Sequence, residues 1–166
     1  MNDVICLGCG ALTPDTTGPV HAYMDASPGC WQLYCELQDW KHSLIGDDEI
    51  TTAQHLVDAY AAQHATNPDR RNRQSVTVHL MSLCAFLEFD MSGKQRRTMI
   101  GNWTHHDYPL LQPRPDYYPI TVRDVKDAIG DERGRQDVVE GMATSTWSAW
   151  SIHHREIRTL VASSLS

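Results

Sequence analysis

The sequence predicts a mainly α fold, a small helical bundle of four to six helices behind an irregular N-terminal segment. Three observations lead there. After position 28, apolar residues recur three and four apart through most of the chain, the spacing that lines one face of a helix. Residues 1–27 are instead crowded with Gly, Pro, Thr and Asp. That same segment carries a Cys-x-x-Cys pair, Cys6 and Cys9. A length of 166 residues and a hydrophobic content of 41% suit one core. The expectation is a single domain over 1–166, with 1–27 as knuckle and loop and 28–166 as helical body.

Each element has a local reason. Val4-Ile5 suits a short strand entering Cys6-Leu7-Gly8-Cys9-Gly10, and residues 11–26 read as ordered loop broken by Pro14, Gly18 and Pro19. Ser27 is a good N-cap, and Pro28 fits the first helical position, where its missing N–H needs no partner. Cys30, Trp31, Tyr34, Leu37 and Trp40 then mark a helix reaching about Gly46. A second helix over 49–65 carries Ala53, Leu56, Val57, Tyr60 and Ala61 as its stripe. At about 100° per residue His64 falls within that stripe and His55 opposite it. Asn67-Pro68-Asp69 ends this helix. A third helix over 71–90, with Val76, Leu80, Leu83 and Leu87 inward, is the most hydrophobic and is expected at the centre.

Met91-Ser92-Gly93 breaks it, and 94–103 suits a short fourth helix. Pro109, Pro113, Pro115 and Pro119 make residues 104–120 an extended crossing loop. Thr121 with Asp124 forms a variant capping box for a short helix ending at Gly130. A last helix over 135–163 presents Val139, Met142, Trp147, Trp150, Ile157, Leu160 and Val161.

Charge and targeting signals narrow the function classes. The formal net charge of −7 disfavours general nucleic-acid binding, because an acidic surface repels phosphate backbones. The basic groups Arg70, Arg71, Arg73 and Lys94, Arg96, Arg97 sit at expected helix ends, where cations favour a C-terminal dipole or simply face water, and the solvated face is the preferred reading. Met1-Asn2-Asp3 is not the basic start of a secretory signal, and no run approaches the ~20 apolar residues of a membrane span. The expected location is cytoplasmic. Thiols stay reduced there, so an odd count of five cysteines points to metal or redox chemistry rather than a disulfide framework.

Cys6 and Cys9 are the strongest chemical signal. Two intervening residues let both thiolates reach one tetrahedral zinc. The nearest further ligands in sequence are His21 and Cys30. Cys30 gains thiolate character from its place in the first turn of a helix. The leading site is therefore Cys6, Cys9, His21 and Cys30, holding structural zinc, with His55 as the substitute ligand. A second constellation, His55, Asp58, His64 and His79, lies on helices two and three. His64 and His79 meeting across the interface would make an open, catalytic metal position; otherwise they are core histidines hydrogen-bonded to Asp58, Tyr60 or a carbonyl. A redox pair at Cys6 and Cys9 lacks the strand–helix context such motifs need.

Several stretches together resemble an uncharacterised bacterial family of small proteins. They are 6–11, 18–23 and 27–31 with their Cys-x-Gly-Cys-Gly, His-x-Tyr and Ser-Pro-Gly-Cys-Trp patterns, then 57–64, 75–80 and 147–154. The family carries proline where this chain has Leu7, which changes loop stiffness and leaves both sulfurs in place. As a domain of unknown function, the family implies no activity. The functional expectation is a zinc-stabilised helical binding or interaction protein with an unknown protein or small-molecule partner. The alternative is a metal-dependent, hydrolase-like enzyme with a histidine site between helices two and three.

Overall fold

The computed structural model describes residues 2–44, 46–128 and 132–166. It is mainly helical, with seven α-helices and one two-stranded sheet among the described residues. Strands β1 (Asp3–Ile5) and β2 (Leu12–Pro14) pair antiparallel, with Val4 opposite Thr13 and Ile5 opposite Leu12. Residues 12–14 lie inside the segment read as loop. They become a strand because β1 supplies the partner, which no local pattern reveals. The turn between them closes by two backbone bonds, Cys6 N–H to Ala11 C=O and Gly10 N–H to Cys6 C=O, each 2.9 Å. Gly10 makes the turn at φ 78°, a conformation cheap only for glycine.

Helix α1 (Pro28–Lys41) starts as its sequence dictates: the Ser27 hydroxyl accepts from Cys30 N–H, and Pro28 occupies the first turn. It stops at Lys41, short of Gly46, which at φ 81° instead opens α2 (Asp47–Gln63). Helix α2 packs against α1, α3, α4 and α6, so it is buried nearly all round. His55, expected on the side away from the core, is therefore only 4% exposed, its ring edge-on to Phe86 at 4.4 Å.

Helix α3 (Arg70–Phe89) is capped by Asp69, whose carboxylate accepts from Arg71 N–H. It ends at Asp90, in the left-handed region at φ 54°. Arg70, Arg71 and Arg73 thus open a helix rather than close one, so dipole attraction does not explain them. Helix α4 (Gly93–Trp103) has a full capping box, Ser92 with Gln95, and Arg96 in its first turns is fully buried, not solvated. Residues 104–120 form no helix or strand, yet bury Tyr108, Leu111 and Tyr118. Helix α5 (Val122–Asp127) carries the Thr121–Asp124 capping box, and its expected end at Gly130 lies outside the described residues.

The expected single last helix is two, α6 (Glu132–Ala149) and α7 (His154–Ser164), with a 3₁₀ turn at Ser151–His153. Trp150 N–H bonds back to Trp147 C=O as well as Thr146 C=O, tightening the turn. His154 then stacks on Trp147 at 3.7 Å with Nε2 hydrogen-bonded to the Trp147 carbonyl, while His153 Nε2 bonds Pro113 C=O. Side chains take up groups that the broken ladder releases.

The apolar interior forms two clusters. One gathers Leu80, Leu83, Trp150, Ile157 and Val161 around α3 and α7. The other gathers Leu37, Leu56, Tyr60, Val139 and Met142 with three cysteines. Helix α2 contributes to both, through Ala62 in the first and Leu56 in the second. Among the described residues no helix is long and apolar enough to cross a membrane.

Candidate metal centre

Cys6 follows β1, Cys9 sits in the glycine turn, Cys30 lies in the first turn of α1, and His64 ends α2. These separate segments converge. The four ligand atoms all lie within 4.8 Å of one another, and the residues are at most 3% exposed. The Cys9 and Cys30 sulfurs are 3.8 Å apart. His64 Nε2 is 3.5 Å from the Cys6 sulfur and 3.4 Å from that of Cys30. A zinc-sized ion about 2.3 Å from each sulfur and about 2.0 Å from an imidazole nitrogen sets tetrahedral S···S at about 3.8 Å and S···N at about 3.5 Å. The Cys9–Cys30, Cys6–His64 and Cys30–His64 separations match those of a tetrahedral metal site.

The surroundings aim the imidazole. His64 Nδ1–H donates to the Tyr60 carbonyl at 2.7 Å, which leaves the Nε2 lone pair facing the sulfurs. Tyr60 also lays its ring against His64 at 4.1 Å, and its hydroxyl is 3.6 Å from the Cys30 sulfur. Tyr34 stacks on Tyr60 at 4.0 Å and Trp31 on Tyr34 at 5.3 Å, so an aromatic column backs the cluster. Gly8 touches the other side of the imidazole, where a Cβ would overlap the ring.

Without a bound cation, electrostatics favour a thiolate at Cys6 and hold protons on Cys30, whose thiol is pushed up by its hydrogen bonds to Cys6 and Cys9, and on His64. Hydrogen bonds with Cys30 and Cys9 pull the Cys6 thiol well below its usual range, against the cost of burial. Burial opposes charging His64, but hydrogen bonds and charge from Cys6 and Cys9 outweigh it and push the imidazole up to about 10. Thiolate and neutral imidazole are the forms that bind a metal, so a cation held here would displace the protons on Cys30 and His64.

The expected ligand His21 lies outside this group. Its Nδ1 accepts from Tyr23 N–H, and its ring packs against Tyr23 at 4.4 Å and Trp31 at 5.0 Å. Nearness in sequence favoured His21, but packing of α2 against α1 delivers His64 instead. The substitute ligand His55 is also elsewhere, against Phe86. Cys35 is exposed, Cys84 is buried, and both are free thiols outside the cluster.

His64 and His79 do not share a site. His79 Nδ1 is 2.7 Å from Asp58 Oδ1, and Asp58 also accepts from Gln54, Ser82 and Arg96. Asp58 and Arg96 are a fully buried ion pair at 2.9 Å. Among the described residues the three cysteines and His64 are the one group with metal-holding geometry. Two signals for this arrangement were present in the sequence: a histidine inside an apolar stripe, and an aspartate on a buried helix that requires a cation.

No curated protein and no solved structure matches the chain. Residues 4–151 match the Family of unknown function (DUF5946), a span that includes both hairpin cysteines, Cys30, His64 and the Asp58–Arg96 pair. By that match over most of its length, the chain belongs to the DUF5946 family.

Proposed function

We propose that this protein is a zinc-stabilised helical binding protein, in which Cys6, Cys9, Cys30 and His64 hold one structural zinc. The single observation carrying this is the closed character of the cluster: four ligand atoms within 4.8 Å, all from buried residues. A catalytic metal keeps an open position for water, whereas a structural one is enclosed by four protein ligands. Three soft thiolates with one imidazole in a tetrahedron favour zinc over oxygen-seeking ions. A reducing, cytoplasmic setting keeps the thiols available. Fixing the hairpin also fixes what it displays. Ile5, Leu7 and Leu12 are 66%, 78% and 56% exposed on it, which supports a contact surface for a partner.

Elemental analysis of protein expressed with zinc tests the reading, with the paired variant Cys6→Ser, Cys9→Ser alongside. One zinc per chain, lost together with the fold in the variant, is expected. Absence of stoichiometric metal in the native protein, or zinc retained by the variant, overturns it.

A further inference from the structure

A second site lies away from the metal cluster, in a cleft of about 250 Å³ lined by Tyr23, Arg71, Gln74, Ser75, His79 and Thr104 among others. Arg71, Ser75 and His79 are four residues apart along α3 and so share one face. Arg71 and His79 carry polar groups that face the cleft, and the Ser75 hydroxyl lies just beneath its wall, unpaired among the described residues.

His79 is the most constrained. Asp58, at its back, accepts hydrogen bonds from Gln54 at 2.7 Å, Ser82 at 2.5 Å and Arg96 at 2.9 Å. That carboxylate is thus an acceptor on both oxygens, and His79 Nδ1 must be the donor toward it. The ring is fixed, and Nε2 has no partner among the described residues. Ser75 is 8% exposed, and its buried hydroxyl also has no partner among the described residues, a costly arrangement in a protein interior. The Arg71 guanidinium lies 4.6 Å over the Tyr23 ring and pairs with no carboxylate among the described residues. Its neighbours Arg70 and Arg73 are both turned to Asp107 instead. No acidic side chain lines the cleft. Gln74 is engaged with the carbonyls of Thr104 and His106, which ties the end of α4 to α3 across the cleft.

A cation, a hydroxyl donor and an oriented imidazole nitrogen, with no carboxylate in the lining and Asp58 behind His79 paired to Arg96, complement a phosphate group. Guanidinium and hydroxyl meet its oxygens, and one proton lies between Nε2 and a further oxygen, whichever atom carries it. We propose that this cleft binds the phosphate group of a small molecule, anchored by Arg71, Ser75 and His79. The volume leaves room for a compact organic moiety beside the phosphate. The site makes no use of zinc, so it stands or falls separately from the metal centre.

Histidine side-chain ¹⁵N NMR on the full-length protein tests it. Inorganic phosphate and glycerol phosphate are each titrated against a chloride control of equal ionic strength. The His79 ring signal is expected to move saturably with both. Tighter binding of glycerol phosphate would assign the cleft to an ester, and equal or tighter binding of inorganic phosphate to the free ion; either upholds phosphate recognition. Affinity is expected to fall about tenfold in Arg71→Gln, the loss of one charge-assisted contact, and severalfold in Ser75→Ala. Zinc content and thermal midpoint, measured on both variants, are expected to stay at native values. A His79 signal that moves no more than in chloride, or unchanged affinity in both variants, overturns the proposal.

Discussion

The His64 ring is gripped on three sides: by the Tyr60 carbonyl at Nδ1, by the Tyr60 ring on its face, and by Gly8 at its edge. Glycine at position 8 is thus required by contact, not by backbone conformation. Gly8→Ala is expected to turn the imidazole away from the sulfurs. Metal affinity should drop by about 10- to 100-fold, the usual cost of disturbing a ligand's orientation. Crowding should cost about 1–3 kcal/mol of stability. Gly10→Ala separates the two causes. Gly10 sits at φ 78° with open space around it, so alanine there strains the turn by about 1–2 kcal/mol without touching a ligand. Competition with a chromophoric chelator reads the affinity. A Gly8→Ala protein that binds as tightly as the native one would refute this account of the ring.

Helix α2 is the element on which both polar sites depend. Its end supplies His64 to the metal cluster, and its middle supplies Asp58 to the buried network with α3 and α4. Arg96 lies fully buried against Phe86 at 4.7 Å, and two of its nitrogens have no hydrogen-bond partner among the described residues. Asp58 is its one counter-charge among the described residues. Neutralising Asp58 leaves a bare buried cation, so Asp58→Asn is expected to lose about 3–5 kcal/mol in urea denaturation. Replacing the pair together, Asp58→Leu with Arg96→Met, removes both charges and should cost much less. A single variant within about 1 kcal/mol of native stability would show that the pair is not what locks α4 onto α2.

Across the whole molecule, the metal cluster joins points that the chain keeps far apart. Cys6 and His64 are separated by 58 residues, Cys9 and Cys30 by 21. One ion held there would clamp the hairpin and α1 onto α2, whose residues enter both apolar clusters. Loss of the ion should be felt by the entire fold. At free zinc about a thousandfold above its Kd, binding contributes about 4 kcal/mol. For a chain of this size each kcal/mol moves the midpoint by about 2–4 °C. Chelation is expected to lower Tm by about 8–16 °C, and zinc added back should restore it. Circular dichroism melts with and without chelator read this directly, and coincident melts would mean that the cluster does not hold the segments together.

The helical pattern and its caps are written in neighbouring residues. Ser27 with Pro28, Ser92 with Gln95 and Thr121 with Asp124 act over a few positions, and their helices begin where those residues stand. The spacing of Cys6 and Cys9 likewise puts two sulfurs on one turn, where they could share a metal ion. Tertiary structure alone decided that β2 has a partner, that Arg96 is interior, and that α6 and α7 break where Trp147 and His154 stack. It also decided that His64, not His21, stands beside the sulfurs. Local spacing determines what a segment can form, because its hydrogen bonds close within a turn. Which distant segments meet depends on how their apolar faces are buried together, and that burial carried the end of α2 to the cysteines.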